Sequence, residues 1–225
     1  MKFALKAVLL SLALIAGPVI AQENAAAKPQ YSGFLGDYSK LQPAKDREGI
    51  ALFLDRSRDY KGYTRLVFDP PEVVLTPNPD YKGIQPDALK RMTDAVQASF
   101  RRALEPAYQV VNAPGPGVLR VRIAITGVQM VKPPLNPTDF IPVKAVFNLG
   151  RSAAGSAPQV AEMTAEMEVL DESGVRVAAA VATRKGDKSL PQGEQVTWKD
   201  LDPIAAYWAR GFRQRLDELR NVRSQ

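Results

Sequence analysis

Residues 161–181 read AEMTAEMEVLDESGVRVAAAV, and their alternation decides the fold class. Ala161, Met163, Ala165, Met167 and Val169 stand on one side of an extended chain, with Glu162, Thr164, Glu166 and Glu168 on the other. A period of two marks a half-buried strand. Asp171-Glu-Ser-Gly174 supplies a turn, after which Val175, Val177, Ala179 and Val181 alternate again. A three-residue loop over 172–174, with Gly174 left-handed, sets Val169 opposite Val177 and Met167 opposite Ala179. Both apolar rows then share one face, and the glutamates face solvent. On that register Met167→Asp is strongly destabilising, whereas Glu166→Ala shifts stability by no more than ~0.5 kcal/mol.

Working outward, Leu119, Val121, Ile123 and Ile125 alternate with Arg120, Arg122 and Thr126, a second strand of the same kind. The short apolar run 108–111 precedes it across Asn112-Ala-Pro-Gly-Pro-Gly117, a dense turn signal that predicts a hairpin. Residues 64–75 carry Leu66, Phe68, Val73, Val74 and Leu75 around Pro70-Pro71, the pattern of an interrupted edge strand. From Pro86, Leu89, Met92, Val96, Phe100 and Ala103 recur at helical steps until Pro106. A second helix is predicted from Asp202 as N-cap and Pro203 as first residue, with Ile204, Trp208, Phe212, Leu216 and Leu219 as its apolar stripe. Between them, residues 132–158 hold five prolines and form a loop, with a helical turn or two expected over 143–149. The sum is a single α+β domain over 31–225: an antiparallel sheet of four to five strands with two main helices on one face. Its order in sequence is β-α-β-β-(loop)-β-β-α.

The chain contains neither cysteine nor histidine. Without cysteine there is no disulfide and no site for bacterial lipidation. Without histidine the commonest general base and zinc ligand are missing, and with them most hydrolase mechanisms. The formal charge of +6 is spread among carboxylates rather than gathered into a stripe, so no nucleic-acid partner is expected. At the start, Met1-Lys2 and Lys6 precede an apolar or small run over 7–16, a Gly17-Pro18 break and Val19-Ile-Ala21. This is the pattern of an export signal cut between Ala21 and Gln22. The run is shorter than the ~20 residues that cross a bilayer, so no permanent membrane anchor is expected. The expected location is the periplasm, with or without attachment at the outer membrane, and residues 22–30 read as a flexible leader.

Tyr31, Phe34, Leu35 and Tyr38 lie in a glycine-bearing segment without regular period. They are read as an ordered strap anchored on its own core, with an aromatic partner site as the alternative. Together with Pro133, Pro134 and Phe140 of the long loop they are the candidate interaction residues. Glu162, Glu166 and Glu168 are the best material for catalysis, as paired carboxylates serve glycosidic chemistry or a hard metal. Strand alternation accounts for them without a substrate, so no enzyme, cofactor or metal is expected. The expected function is a non-catalytic binding or accessory protein whose partner is an envelope protein or an anionic envelope polymer. The alternatives are a histidine-free hydrolase of envelope carbohydrate and a carrier of a small apolar ligand or lipid.

YSGFLGDYSKLQP from Tyr31, DPPEV from Asp69, PGPGVLRVRIAITGV from Pro114, LDESG from Leu170 and WARGFRQRLDEL from Trp208 resemble a bacterial family known as domain of unknown function 3313. The resemblance covers roughly residues 31–220 and implies kinship with envelope lipoproteins, without naming an activity. This chain departs from the family in having Ala21 and Gln22 where a lipidation motif would end in cysteine.

Overall fold

Ten elements follow one another in the computed structural model: β1 (Gln42–Pro43), β2 (Ile50–Leu54), β3 (Arg65–Phe68), β4 (Glu72–Val73), α1 (Pro86–Leu104), β5 (Gln109–Val111), β6 (Val118–Val131), β7 (Gln159–Leu170), β8 (Arg176–Leu190) and α2 (Trp198–Asn221). The structure describes residues 31–45, 47–74, 86–131, 159–190 and 196–221. All of them belong to one unit, Tyr31–Gln225. The expected export signal, its cleavage site at Ala21 and Gln22, the leader and the loop 132–158 lie outside the described residues.

The fold is α+β as expected, but the sheet is larger and mixed: eight strands ordered β1-β2-β8-β7-β6-β3-β5, with β4 also on β6. β6, β7 and β8 pair antiparallel, as do β1, β2 and β8. β3 pairs in parallel with both β5 and β6, and β4 in parallel with β6. The expected hairpin between 108–111 and the strand from Val118 is therefore absent. β3 lies between those two strands, because the α1 crossover returns the chain parallel to β3 before residues 112–117 carry it across to β6. That crossing is tight: Gly117 has φ +68°, and a Cβ there would stand 3.1 Å from the Gly62 carbonyl oxygen. Strands β1 and β2 were not anticipated, although the apolar run Ile50-Ala-Leu-Phe-Leu54 behind Gly49 carries the signal of a short buried strand.

The loop after β7 closes as predicted, with Gly174 at φ +76° and the Gly174 N–H donating to the Asp171 carbonyl at 2.9 Å. The register beyond it does not. Leu170 pairs with Arg176, yet Val169 pairs with Ala178 and Met167 with Ala180, so β8 holds one extra residue at Val177. This β-bulge moves the β8 face by one position. Val177 itself points into the core under the helices, while Ala179 and Val181 turn to the opposite face. The bulge carbonyl is satisfied from β2 and its continuation: Val177 O accepts from Asp55 N–H at 2.8 Å and from the Tyr60 hydroxyl at 3.2 Å.

Both helices pack on one face. Met92, Val96, Phe100 and Leu104 of α1 and Ile204, Ala205, Ala209 and Leu216 of α2 share a core with Leu66, Val121, Ile125 and Met163 of the sheet. Helix α1 begins at Pro86 as expected. Helix α2 begins at Trp198, five residues before the predicted first residue Pro203, which lies inside it. At its start the Asp200 carboxylate accepts from the Thr197 N–H at 3.0 Å and from the Thr197 hydroxyl at 2.6 Å, while the Asp200 N–H donates to the Thr197 carbonyl at 3.0 Å. Asp202, the predicted cap, instead accepts from the Ser99 hydroxyl of α1 at 2.9 Å. Among the described residues no helix is long and apolar enough to cross a membrane.

Burial, helped by the charge of Asp55, pushes the Tyr60 hydroxyl up to about 12. A raised folded-state pKa means stability that is whole below pH ~10 and lost as pH rises through about 12. Tyr60→Phe is expected to flatten that alkaline limb, read as urea midpoints measured between pH 9 and 12.

Candidate functional site

The carboxylates that sequence places on a solvent face are internal. Residues 31–41 run across the second face of the sheet, where Leu35 packs on Ala179 and Val181, and Phe34, Tyr38, Leu41 and Phe53 close around them. Glu166 is 0 % exposed beneath this strap. It accepts from the Ser32 N–H at 2.8 Å and from the Tyr38 hydroxyl at 2.7 Å. The Tyr38 oxygen in turn accepts from the N–H groups of Gly33 and Leu35, so the strap folds around that one phenol. Burial first, and the hydrogen bond to Glu166 second, raise the Tyr38 pKa. Glu168 is 4 % exposed between Arg122 and Arg176, and Arg176 also donates to the carbonyls of Leu35 and Asp37. Glu162 accepts from the Gln129 side chain at 2.6 Å.

The expected solvent exposure of Glu166 and Glu168 is thus overturned. A strand pattern tells which residues share a face, and the strap that covers this face lies more than 120 residues away in sequence. Each of the three carboxylates is engaged by a donor of the fold itself. Among the described residues no group of three or more acidic side chains is placed to hold a metal.

The strap residues proposed for interaction are consequently internal anchors in the main. Leu35 is buried, and Phe34 lies under the Arg122 guanidinium with 4.9 Å to its ring centre. Tyr31 stacks on Tyr38 at 4.1 Å and is 38 % exposed, the strap aromatic that most faces outward. Pro133, Pro134 and Phe140 lie outside the described residues.

An apolar groove lies on the other face, between α2 and the β2–β8–β7 part of the sheet. The bulge sets Ala178, Ala180 and Ala182 there, paired on one side with Leu54, Leu52 and Ile50 and on the other with Val169, Met167 and Ala165. Rows such as Leu52-Ala180-Met167 are low in the middle, because a methyl group stands between two long side chains. Tyr207, Trp208, Gly211, Phe212 and Leu216 of α2 roof the trough and leave a groove of about 170 Å³. Its lining is apolar apart from Tyr60, Tyr207, Trp208 and three arginines, Arg47, Arg56 and Arg215. Arg47 reaches over α2, since a Cβ on Gly211 would lie 3.4 Å from its Nη1. Sequence reading did not find this site. Its signals were the Ala178-Ala-Ala180 run and the strand over 50–54, neither of which shows a groove until the bulge fixes which alanines face the helix.

Residues 30–212 match a family described as Protein of unknown function (DUF3313). The chain belongs to the DUF3313 family. This DUF3313 protein is similar to the uncharacterized lipoprotein YdcL of Escherichia coli K12, at 26 % identity over 163 residues, 72 % of this chain and 73 % of YdcL. Among solved structures it is similar to a PelC dodecamer from Paraburkholderia phytofirmans, with TM-score 0.39 and 11 % identity over 73 % of this chain and 95 % of that one. It is also similar to lipoprotein GNA1162 from Neisseria meningitidis, with TM-score 0.34 and 11 % identity over 69 % of this chain and 99 % of that one.

In this DUF3313 chain Glu166→Ala removes the acceptor from two half-buried donors of the strap and is expected to cost about 2 kcal/mol, well above the value for a solvated glutamate. Urea midpoints of Glu166→Ala and Tyr38→Phe measure it, and a shift below about 0.5 kcal/mol for Glu166→Ala would place the strap elsewhere.

Proposed function

We propose that the chain is an exported envelope protein that acts by binding and catalyses no reaction, and that it receives an apolar group in the groove beneath α2. The observation that carries this reading is the groove itself: about 170 Å³ lined by Leu52, Met167, Ala180, Trp208 and Phe212. A dry cavity of ~150 Å³ with such walls takes a molecule as large as benzene. The carrier reading gains over the hydrolase reading because Glu166 and Glu168 are held by Ser32, Tyr38, Arg122 and Arg176 beneath the strap. A carboxylate so engaged is unavailable to a substrate.

Export is supported by the basic start, apolar run and Ala21-Gln22 junction, and by a relative named as a lipoprotein. The periplasm is the proposed location, and an envelope component is the proposed source of the bound group. Intact mass of the exported protein should begin at Gln22, free or cyclised; added acyl mass would contradict the unlipidated form.

A neutral naphthylamine fluorophore tests the groove. Saturable binding to the folded chain is expected, and Ala180→Phe, which fills the trough, should abolish it while holding or raising the melting temperature. Ala180→Val serves as the smaller companion should phenylalanine overpack the site. Equal binding by wild type and both variants would sink the reading.

A further inference from the structure

The groove has a linear floor and a charged rim of a single sign. Ala178, Ala180 and Ala182 lie along one strand, so the trough extends about 13 Å along β8 at ~3.3 Å per residue. The charged residues among those lining it are Arg47, Arg56 and Arg215, with no carboxylate among them. Arg215 keeps a 2.9 Å ion pair to Glu218 on the next turn of α2, and Arg56 is exposed. Trp208 lines the groove, and its indole Nε1–H is buried with no hydrogen-bond partner among the described residues.

From these features we propose that the occupant is a straight-chain fatty acid. This rests on the binding reading above and names its ligand. The alkyl tail lies along the alanine trough under α2. The carboxylate stays at the rim among Arg47, Arg56 and Arg215, where a guanidinium presents two parallel donors to a carboxylate. A neutral apolar molecule would use the trough and bring no charge to the rim. The volume accommodates about six carbons, somewhat more than a benzene-sized guest, so the remainder of a longer chain reaches toward the rim.

The test uses the full mature chain with decanoate and decanol as competitors of the neutral fluorophore. Decanoate is expected to displace it at least tenfold more effectively than decanol, and each carbon removed once the acid is shorter than about six carbons should weaken displacement about fourfold. The preference for the acid should shrink with added salt. In the double variant Arg56→Gln with Arg215→Gln the acid-over-alcohol ratio should fall to near one. Trp208 fluorescence should respond to decanoate in wild type and lose that response in Ala180→Phe. If the fluorophore binds in the groove but decanoate and decanol compete equally, or neither competes, the fatty-acid inference is overturned and the binding reading stands. If the fluorophore itself ignores Ala180→Phe, the binding reading falls, and this inference with it.

Discussion

A carboxylate with no exposure, Glu166, sits in the middle strand of the sheet and constrains everything on the second face. Neither sheet neighbour directs a side-chain donor to it, so its two hydrogen bonds come from Ser32 and Tyr38 of the strap. A buried polar group left without partners costs about 1–3 kcal/mol, enough to matter against the ~5–15 kcal/mol of a typical domain. The strap is therefore bound in one position by a polar requirement, with the apolar contacts of Leu35 and Phe34 added around it. Glu168 extends the same logic one pair further along: Arg122 and Arg176 hold it, and Arg176 carries on to the strap carbonyls. The second face is thus closed by a charged layer tied together across β6, β7, β8 and the strap.

That closure accounts for the division between the two faces. On the strap side Ala179 and Val181 receive Leu35, and the bulge at Val177 is what sends them there. Without the extra residue, Val177, Ala179 and Val181 would face α2 together, and the valines would fill much of the space that Ala178, Ala180 and Ala182 leave empty. One inserted residue in β8 sets both the fit of the strap and the depth of the groove. Tyr60 and Asp55 stabilise the insertion by meeting the carbonyl that it displaces.

Local signals in the sequence were read correctly where the structure is local. The helix from Pro86 to Leu104, the break at Pro70-Pro71 and the left-handed Gly174 each depend on neighbours within a few residues. Non-local facts were not legible. Nothing in residues 109–121 announces that β3 will lie between its two strands, and a glutamate in an alternating strand looks the same under solvent as under a strap. The early start of α2 was readable in principle, since Thr197 and Asp200 have capping-box spacing, but Asp202-Pro203 is the stronger local signal and drew the boundary to itself. The groove was the least legible feature of all, because it is made by what three alanines lack, once the bulge has turned them toward α2.

An alanine trough beneath a helix rich in Tyr, Trp and Phe is an expensive arrangement if nothing occupies it. About 170 Å³ stands unfilled against these side chains, leaving apolar surface that an occupant would bury. Ala180→Val or Ala182→Val is available by the most ordinary of substitutions, and valine suits a strand better than alanine. Gly211 is a second concession, costing a helix interior roughly 1 kcal/mol relative to alanine, although a Cβ there would meet the Arg47 guanidinium no closer than 3.4 Å. Packing alone gives no reason for small residues at Ala180, Ala182 and Gly211 together, all of them on the lining of one groove. The proposed occupant would supply one, because a ligand that fills the trough returns the dispersion and burial that the protein's own side chains withhold.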